Sequence, residues 1–341
     1  MRPQVAKATD VARAAGVSIA TVSLVVNGKA AGRVSPATRR RVEQVIEELG
    51  YEVNSAARTL ATGRRHCIAF VASDVANPFI STIAAGIVSV LGTDYQLLLA
   101  ISGSERALPD LRRVLAFGVD GVLLDLPLGA EVRKAAPQVP LVSLDDPSSP
   151  VGISRVLFGL QDAAAELAEH LAALGHRTVA YLDAARPWAT FKSRRDAFVK
   201  EAKRCGMAVI SARSDIEIAA TRETVSHHLD RWLQAEVTAI VAASDVQAYG
   251  ALDALRAGRV AVPARMSLAS FDGLPFAGIT NPPLTTVSLP AYDLGTHGAR
   301  LMLRLIEAPD GAVTAIELPA TLQVRESTGP AAIMSRANRR V

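Results

Sequence analysis

The chain has 341 residues, a formal net charge of +4, and a composition that is 50% hydrophobic but only 4% aromatic. That length suits several compact units with cores of Ala, Val, Leu and Ile rather than rings. Cys67 and Cys205 are too few and too far apart for a disulfide scaffold or a cysteine metal cluster. There is neither a signal-type N-terminal run nor an apolar stretch of about 18–20 residues, so the expectation is a cytoplasmic protein with no membrane span.

The charge is unevenly placed. Residues 1–65 carry 11 Lys/Arg against 5 Asp/Glu, whereas the remainder carries 26 against 28. A small basic head on a mildly acidic body suggests a polyanion-binding module beside a domain with another task.

Residues 10–27, DVARAAGVSIATVSLVVN, predict two short helices joined by a turn. The first buries Val11, Ala14 and Ala15. Gly16 tolerates the positive φ of a tight reversal. Ser18 is placed to cap the second helix, whose inner face is Val22, Val25 and Val26. The outer face presents Ile19, Ala20, Thr21, Ser23, Leu24 and Asn27, side chains able to enter a major groove. Taken alone, the segment has an ordinary αα-hairpin as its lesser reading.

Ser35-Pro36 predicts the start of a third helix, with Val42, Val45, Ile46 and Leu49 inward and Gly50 as its stop. Arg39, Arg40 and Arg41 lie in its first turns, where positive charge opposes the helix dipole. Phosphate contact and a solvated face both account for them. From Asn54 to Gly63 the chain has good helix propensity but too few turns to be stable alone. It reads as a conditional helix with Leu60 as a minor-groove wedge, or as a linker.

From His66 onward strands and helices alternate. Apolar runs CIAFVAS, QLLLAI, GVLLDL and PLVSLD are separated by amphipathic stretches 79–91, 105–117 and 129–136. A second series, TVAYLD, AVIS, TAIVAAS and MSLASFD, alternates with 158–174, 191–205, 220–235 and 246–257. Two such series predict an α/β protein of two lobes, each with a parallel sheet covered by helices, with a ligand cleft outside the carboxyl ends of the strands.

Candidate cleft residues follow those ends: Asp74, Asn77 and Phe79; Trp188, Thr190, Phe191 and Arg194; Ser244 and Asp245; Asp272. An arginine and a carboxylate facing one cleft beside aromatic faces suit a neutral polyhydroxylated ligand. Asp245 also reads as a helix cap, Asp74 and Asn77-Pro78 as turn chemistry, and Trp188 as a rim residue. The chain has no G-x-G-x-x-G after its first strand, no P-loop, no G-x-S-x-G elbow and no histidine pair at metal spacing. No cofactor, metal or catalytic role is therefore expected.

Taken together, DVARAAGVSIATVSLVVNG, RVSPATRRRVEQVIEELGYEVNSAARTLATG, DVANPF, VDGVLL, HLAALGHRTVAYL, RRDAF, PARMSLASFD and NPPLTTV, in this order, resemble the lactose/galactose-repressor (LacI/GalR) family over roughly 5–328. The resemblance implies a helix-turn-helix headpiece (1–52), a hinge helix (53–63) and a two-lobed periplasmic-binding-protein-like effector domain (64–330), ending in a tail (331–341). It implies a homodimeric regulator of operator DNA, controlled by a small molecule, most simply a sugar, with a purine or nucleoside as the alternative. Implied DNA contacts are Ser18, Ile19, Ala20, Thr21, Ser23, Leu24, Asn27, Arg33, Ser35, Thr38, Asn54, Ala57, Arg58 and Leu60. Implied effector contacts are Phe79, Thr190, Arg194, Ser244 and Asp272. Lys7 replaces the usual threonine cap, Leu24 stands where arginine is frequent, and Gly159-Leu160 replace a common polar pair. A solute-binding transport protein would share the lobes but not residues 1–63, and an α/β enzyme would need a catalytic cluster.

Overall fold

The computed structural model describes residues 6–26, 28, 30–51, 64–101, 111–127, 139–186 and 188–332. The chain divides into two compact units, Met1–His66 and Cys67–Val341.

The first unit holds α1 (Ala8–Ala15), α2 (Ile19–Val26) and α3 (Pro36–Leu49). Gly16 adopts φ 60°, closing α1 with a left-handed residue. The Ser18 hydroxyl accepts the Thr21 N–H at 3.1 Å and caps α2. At α1, Lys7 supplies no side-chain cap of its own. Asp10 reaches back instead, its carboxylate accepting the Lys7 N–H at 3.0 Å. Val11, Ala12, Ala15, Val22, Val25 and Val42 form the core. Two expectations need correction. The inner stripe of α1 is 11, 12 and 15, which leaves Ala14 exposed, and Leu49 at the end of α3 stays 42% exposed. Tyr51, beyond the Gly50 reversal, covers that end of the core instead.

The second unit contains two six-stranded sheets. The strands of the first are β1 (Cys67–Ala72), β2 (Gln96–Ile101), β3 (Gly121–Leu124), β4 (Leu141–Leu144), β5 (Ser154–Gly159) and β11 (Ala315–Pro319), in the order β11-β5-β4-β3-β1-β2. The strands of the second are β6 (Thr178–Ala184), β7 (Ala208–Ser214), β8 (Ala239–Ala242), β9 (Ser267–Asp272), β10 (Thr285–Ser288) and β12 (Thr321–Gln323), in the order β12-β10-β9-β8-β6-β7. All pairings are parallel except β10 with β12. The central strands β1, β3, β4, β6, β8 and β9 are short, mostly apolar runs buried on both faces, as parallel sheets between helices require, whereas β2, β7, β11 and β12 at the sheet edges are partly exposed.

Among the described residues the α-helices of this unit are α4 (Pro78–Leu91), α5 (Leu111–Ala116), α6 (Gln161–Ala173), α7 (Ala189–Arg204), α8 (Ile218–Gln234), α9 (Asp245–Ala257) and α10 (Ala291–Glu307). The chain passes between the sheets after β5, after β10 and after β11. Helix α10, which follows β10 of the second sheet, packs on α4 and on β3, β4 and β5 of the first. Glycines permit its close approach. A Cβ at Gly295 would lie 2.1 Å from the Ile83 carbonyl oxygen, and one at Gly86 would lie 2.1 Å from that of Tyr292.

The predicted helix over 158–174 is corrected at its start. Residues 154–159 pair as β5 between β4 and β11, and the helix begins at Gln161. The predicted helix at 129–136 lies outside the described residues.

Candidate ligand cleft and nucleic-acid interface

A cavity of about 310 Å³ lies at the carboxyl ends of the strands of both sheets. From the first sheet it is lined by residues after β1 (Ser73, Asp74, Asn77, Phe79, Ile80), β3 (Asp125, Leu126) and β4 (Asp145, Asp146). From the second come residues after β6 (Arg186, Trp188, Thr190, Phe191, Arg194), β7 (Asp215, Ile216) and β8 (Ser244), and Asp272, the last residue of β9. This is the position at which open α/β sheets bind ligands.

Local chemistry sets several of these side chains. Asn77 caps α4, its side-chain oxygen accepting the Phe79 N–H at 3.0 Å. That directs the first turn of α4, with Phe79, at the cleft. Ser244 caps α9 by accepting the Val246 N–H at 3.1 Å. Asp245 is therefore not the cap. It is fully buried and accepts from Ser270 at 2.5 Å, Thr286 at 2.7 Å and the Leu274 N–H at 2.6 Å, which ties β9, β10 and the following loop together. Trp188 is more than a rim residue: its ring stacks on Phe191 at 6.2 Å and 19°.

Arg194, 2% exposed, is the centre of the site. It donates to Asp272 Oδ1 at 2.6 Å and to the Ala243 carbonyl at 2.9 Å, and another guanidinium nitrogen lies 3.7 Å from Asp145 Oδ2. Its Nε has no hydrogen-bond partner among the described residues. The guanidinium carbon lies 5.1 Å from the Phe191 ring centre and 5.9 Å from that of Phe79, within cation–π range of both. Burial works against the Arg194 charge, but the charges of Asp272 and Asp145 outweigh it and raise the pKa, so the guanidinium stays protonated.

The carboxylates feel the opposite pressure. Burial pushes Asp145 up to about 6, even though the Arg194 charge and the Thr190 hydrogen bond pull it down. Burial and the neighbouring Asp145 charge raise Asp125 well above the ordinary carboxylate range. Asp145 and Asp272 also sit at φ 51° and φ 123°, a region that side chains other than glycine's rarely adopt. Such backbone costs about 1–3 kcal/mol per residue and persists where surrounding structure enforces it, commonly at functional sites.

The structure thus brings Phe79, Thr190, Arg194, Ser244 and Asp272 to one cavity. Asp125, Asp145 and Asp146 were missed by sequence reading. Asp125 and Asp145 directly follow β3 and β4 and Asp272 ends β9, so the strand-end rule applied to the first series would have found them. Carboxylates and an arginine around aromatic faces can accept from, donate to and stack on a polyhydroxylated molecule. Among the described residues no group of three His, Cys, Asp or Glu is placed to hold a metal ion.

In the first unit α1 and α2 cross at 105°, within the range of a helix-turn-helix. Ser18, Ile19, Ala20 and Ser23 are exposed on α2, with Thr21 and Leu24 half-buried. Arg33 and Ser35 are exposed before α3, and Thr38 is half-buried in its first turn. Ser35 accepts the Thr38 N–H at 3.2 Å. Asn27, Asn54, Ala57, Arg58 and Leu60 lie outside the described residues. No single described helix is long and apolar enough to cross a membrane.

Residues 8–54 match the model for bacterial regulatory proteins of the lacI family, and residues 168–328 match a periplasmic binding protein-like domain. The chain is 32% identical to the HTH-type transcriptional regulator DegA of Bacillus subtilis, over 94% of this chain and 97% of that one. It is 31% identical to the ribose operon repressor of Halalkalibacterium halodurans, over 94% and 96%. The lac repressor dimer bound to operator and the anti-inducer ONPF superposes with a TM-score of 0.80 at 28% identity, covering 96% of this chain and all of that one.

Proposed function

The chain belongs to the lacI family of bacterial regulatory proteins and is a DNA-binding transcriptional regulator rather than an enzyme, and from this we propose that a sugar bound in the cleft controls its affinity for operator DNA. The carrying observation is Arg194, buried and charged between Asp272 and Asp145, with Phe79 and Phe191 at its faces. Such a group offers paired donors and acceptors to hydroxyls and apolar faces to the C–H side of a pyranose or furanose. A relative named for the ribose operon supports a sugar over a nucleoside.

The residues divide the work. Ser18, Ile19, Ala20, Thr21, Ser23, Leu24 and Asn27 face the major groove. Arg33, Ser35 and Thr38 meet the backbone. Asn54, Ala57, Arg58 and Leu60 form a hinge segment at the minor groove. Phe79, Thr190, Arg194, Ser244 and Asp272 hold the effector, with Asp145 added to that set. A cytoplasmic homodimer places two headpieces on the half-sites of a near-palindromic operator. The effector changes operator affinity by the difference in its affinity for the two lobe arrangements, and by no more than that.

Fluorescence anisotropy with labelled duplex from the gene's own upstream region, at fixed salt, tests this against panels of sugars and nucleosides. One sugar should change operator affinity at least tenfold, and Asp272→Asn should abolish that response while operator binding persists. A response to nucleosides alone, or an unaltered response in Asp272→Asn, would overturn the sugar reading.

A further inference from the structure

The outward face of α2 carries an unusual set of groups for a helix that enters a major groove. Between Ser18 and Val26 there is no Arg, Lys, Asn, Gln, Asp or Glu, Asn27 being the first such residue and following the last residue of α2. These are the side chains that read guanine, adenine or cytosine through paired hydrogen bonds. The hydroxyls of Ser18 and Thr21 are engaged with each other. Ser18 Oγ lies 2.9 Å from Thr21 Oγ1 and accepts the Thr21 N–H, closing the N-terminal turn on itself. Beside the exposed Ser18 and Ser23, what projects outward is apolar. Ile19 is 53% exposed, Ala20 is exposed and Leu24 is half-buried, while Val22 and Val25 fill the core beneath. An isoleucine left this open on a basic module has a reason if it is covered by DNA. The one apolar feature that a base pair shows in the major groove is the C5 methyl of thymine.

We propose that Ile19, with Ala20 and Leu24 beside it, selects the operator half-site through thymine methyl groups rather than through paired hydrogen bonds from α2. This rests on the family's placement of α2 in the major groove. Phosphate contacts from the basic surface, including exposed Arg40 and Arg41 of α3, then supply affinity that does not depend on sequence. Specificity comes from shape: a methyl fits against Ile19, and a bare pyrimidine edge leaves a gap.

The test uses the full-length protein and a duplex selected from a random pool. Each thymine of the selected half-site is then replaced in turn by deoxyuridine, which removes the methyl and leaves pairing and phosphates intact. At the positions facing Ile19, binding should weaken about fourfold per methyl, the scale of one buried methylene. Ile19→Ala, a substitution at an exposed site, should bind the thymine duplex about as weakly as the native protein binds the uracil duplex. It should then show no further uracil penalty, the pattern of a coupled pair. A selected half-site that tolerates uracil throughout with unchanged Kd overturns the proposal and leaves the DNA-binding reading in place. A selection that yields no preferred sequence overturns both, and so does not resemble the first failure.

Discussion

Thr190 donates its hydroxyl to Asp145 Oδ2 at 2.6 Å, and this bond spans the cleft. Asp145 follows β4 of the first sheet, whereas Thr190 stands in the first turn of α7, which packs on β6 and β7 of the second. Each lobe therefore holds the other through one short charge-assisted bond, beside the longer Arg194 contact. A hydrogen bond to a charged group contributes about 1.5–3 kcal/mol. Thr190→Val keeps the shape and deletes the donor, so it should favour the open cleft and weaken sugar binding about tenfold or more. Calorimetric titration with the responsive sugar checks this; an unchanged Kd would show that the bond contributes nothing to closure.

Arg194→Met is expected to be strongly destabilising. It removes the partner of Asp272, which is 4% exposed. Breaking a buried pair from one side costs about 3–5 kcal/mol, because the remaining charge stays buried and uncompensated. The double variant Arg194→Met/Asp272→Asn should recover part of that loss. Chemical denaturation of the single and double variants measures it.

Acidity should stabilise the cleft up to a point. An unfolded Asp145 ionises near 3.8, whereas burial holds the folded group at about 6. The folded state binds the proton more tightly, so this stabilisation is present below pH 3.8 and is lost as the pH rises through 6. Asp145→Asn cannot ionise. Its melting temperature relative to the native protein should therefore climb between about pH 4 and pH 6 and then level off. His176 acts in the opposite sense. Burial lowers its pKa from 6.5, so the stabilisation it gives is present above that value and is lost on acidification. A difference between the Asn variant and the native protein that stays flat with pH would assign the folded group an ordinary pKa.

Gly295→Ala should destabilise the second unit by about 1–3 kcal/mol or more, because its methyl would meet the Ile83 carbonyl oxygen rather than a movable side chain. Gly278→Ala provides the control, since nothing lies within 4 Å of a Cβ there. Thermal melts of the two variants should differ clearly; equal melts would mean that α4 and α10 separate without cost.

Much of this was legible in the sequence because short apolar runs signal parallel strands directly. The runs at CIAFVA, QLLLAI and TVAYLD became β1, β2 and β6. β5 was hidden because Ser154–Gly159 alternates buried and half-buried positions and adjoins a helix, so periodicity merged the two. α10 was hidden by Gly295 and Gly298, which weaken helix propensity but which its packing requires. In the cleft, position after a strand end marked Arg194 and Asp272. Their partner Asp145 lies 45 residues from Thr190, and no local pattern records a contact made only by closure of two lobes. The hydroxyls of Ser18 and Thr21 looked equally free for DNA, because their mutual bond belongs to the cap.

The three passages of chain between the sheets have a consequence for how the second unit comes apart. β11 returns to the first sheet after β10 has paired with β9 in the second, and β12 then goes back to the second to complete the pairing of β10. Neither lobe is a continuous stretch of polypeptide, so no single cut releases one of them whole. Truncation after β10 would strip the edge strand β11 from one sheet and β12 from the other at once. Loss of order in either lobe is thereby coupled to the other, and the unit should melt in one transition although it has two cores.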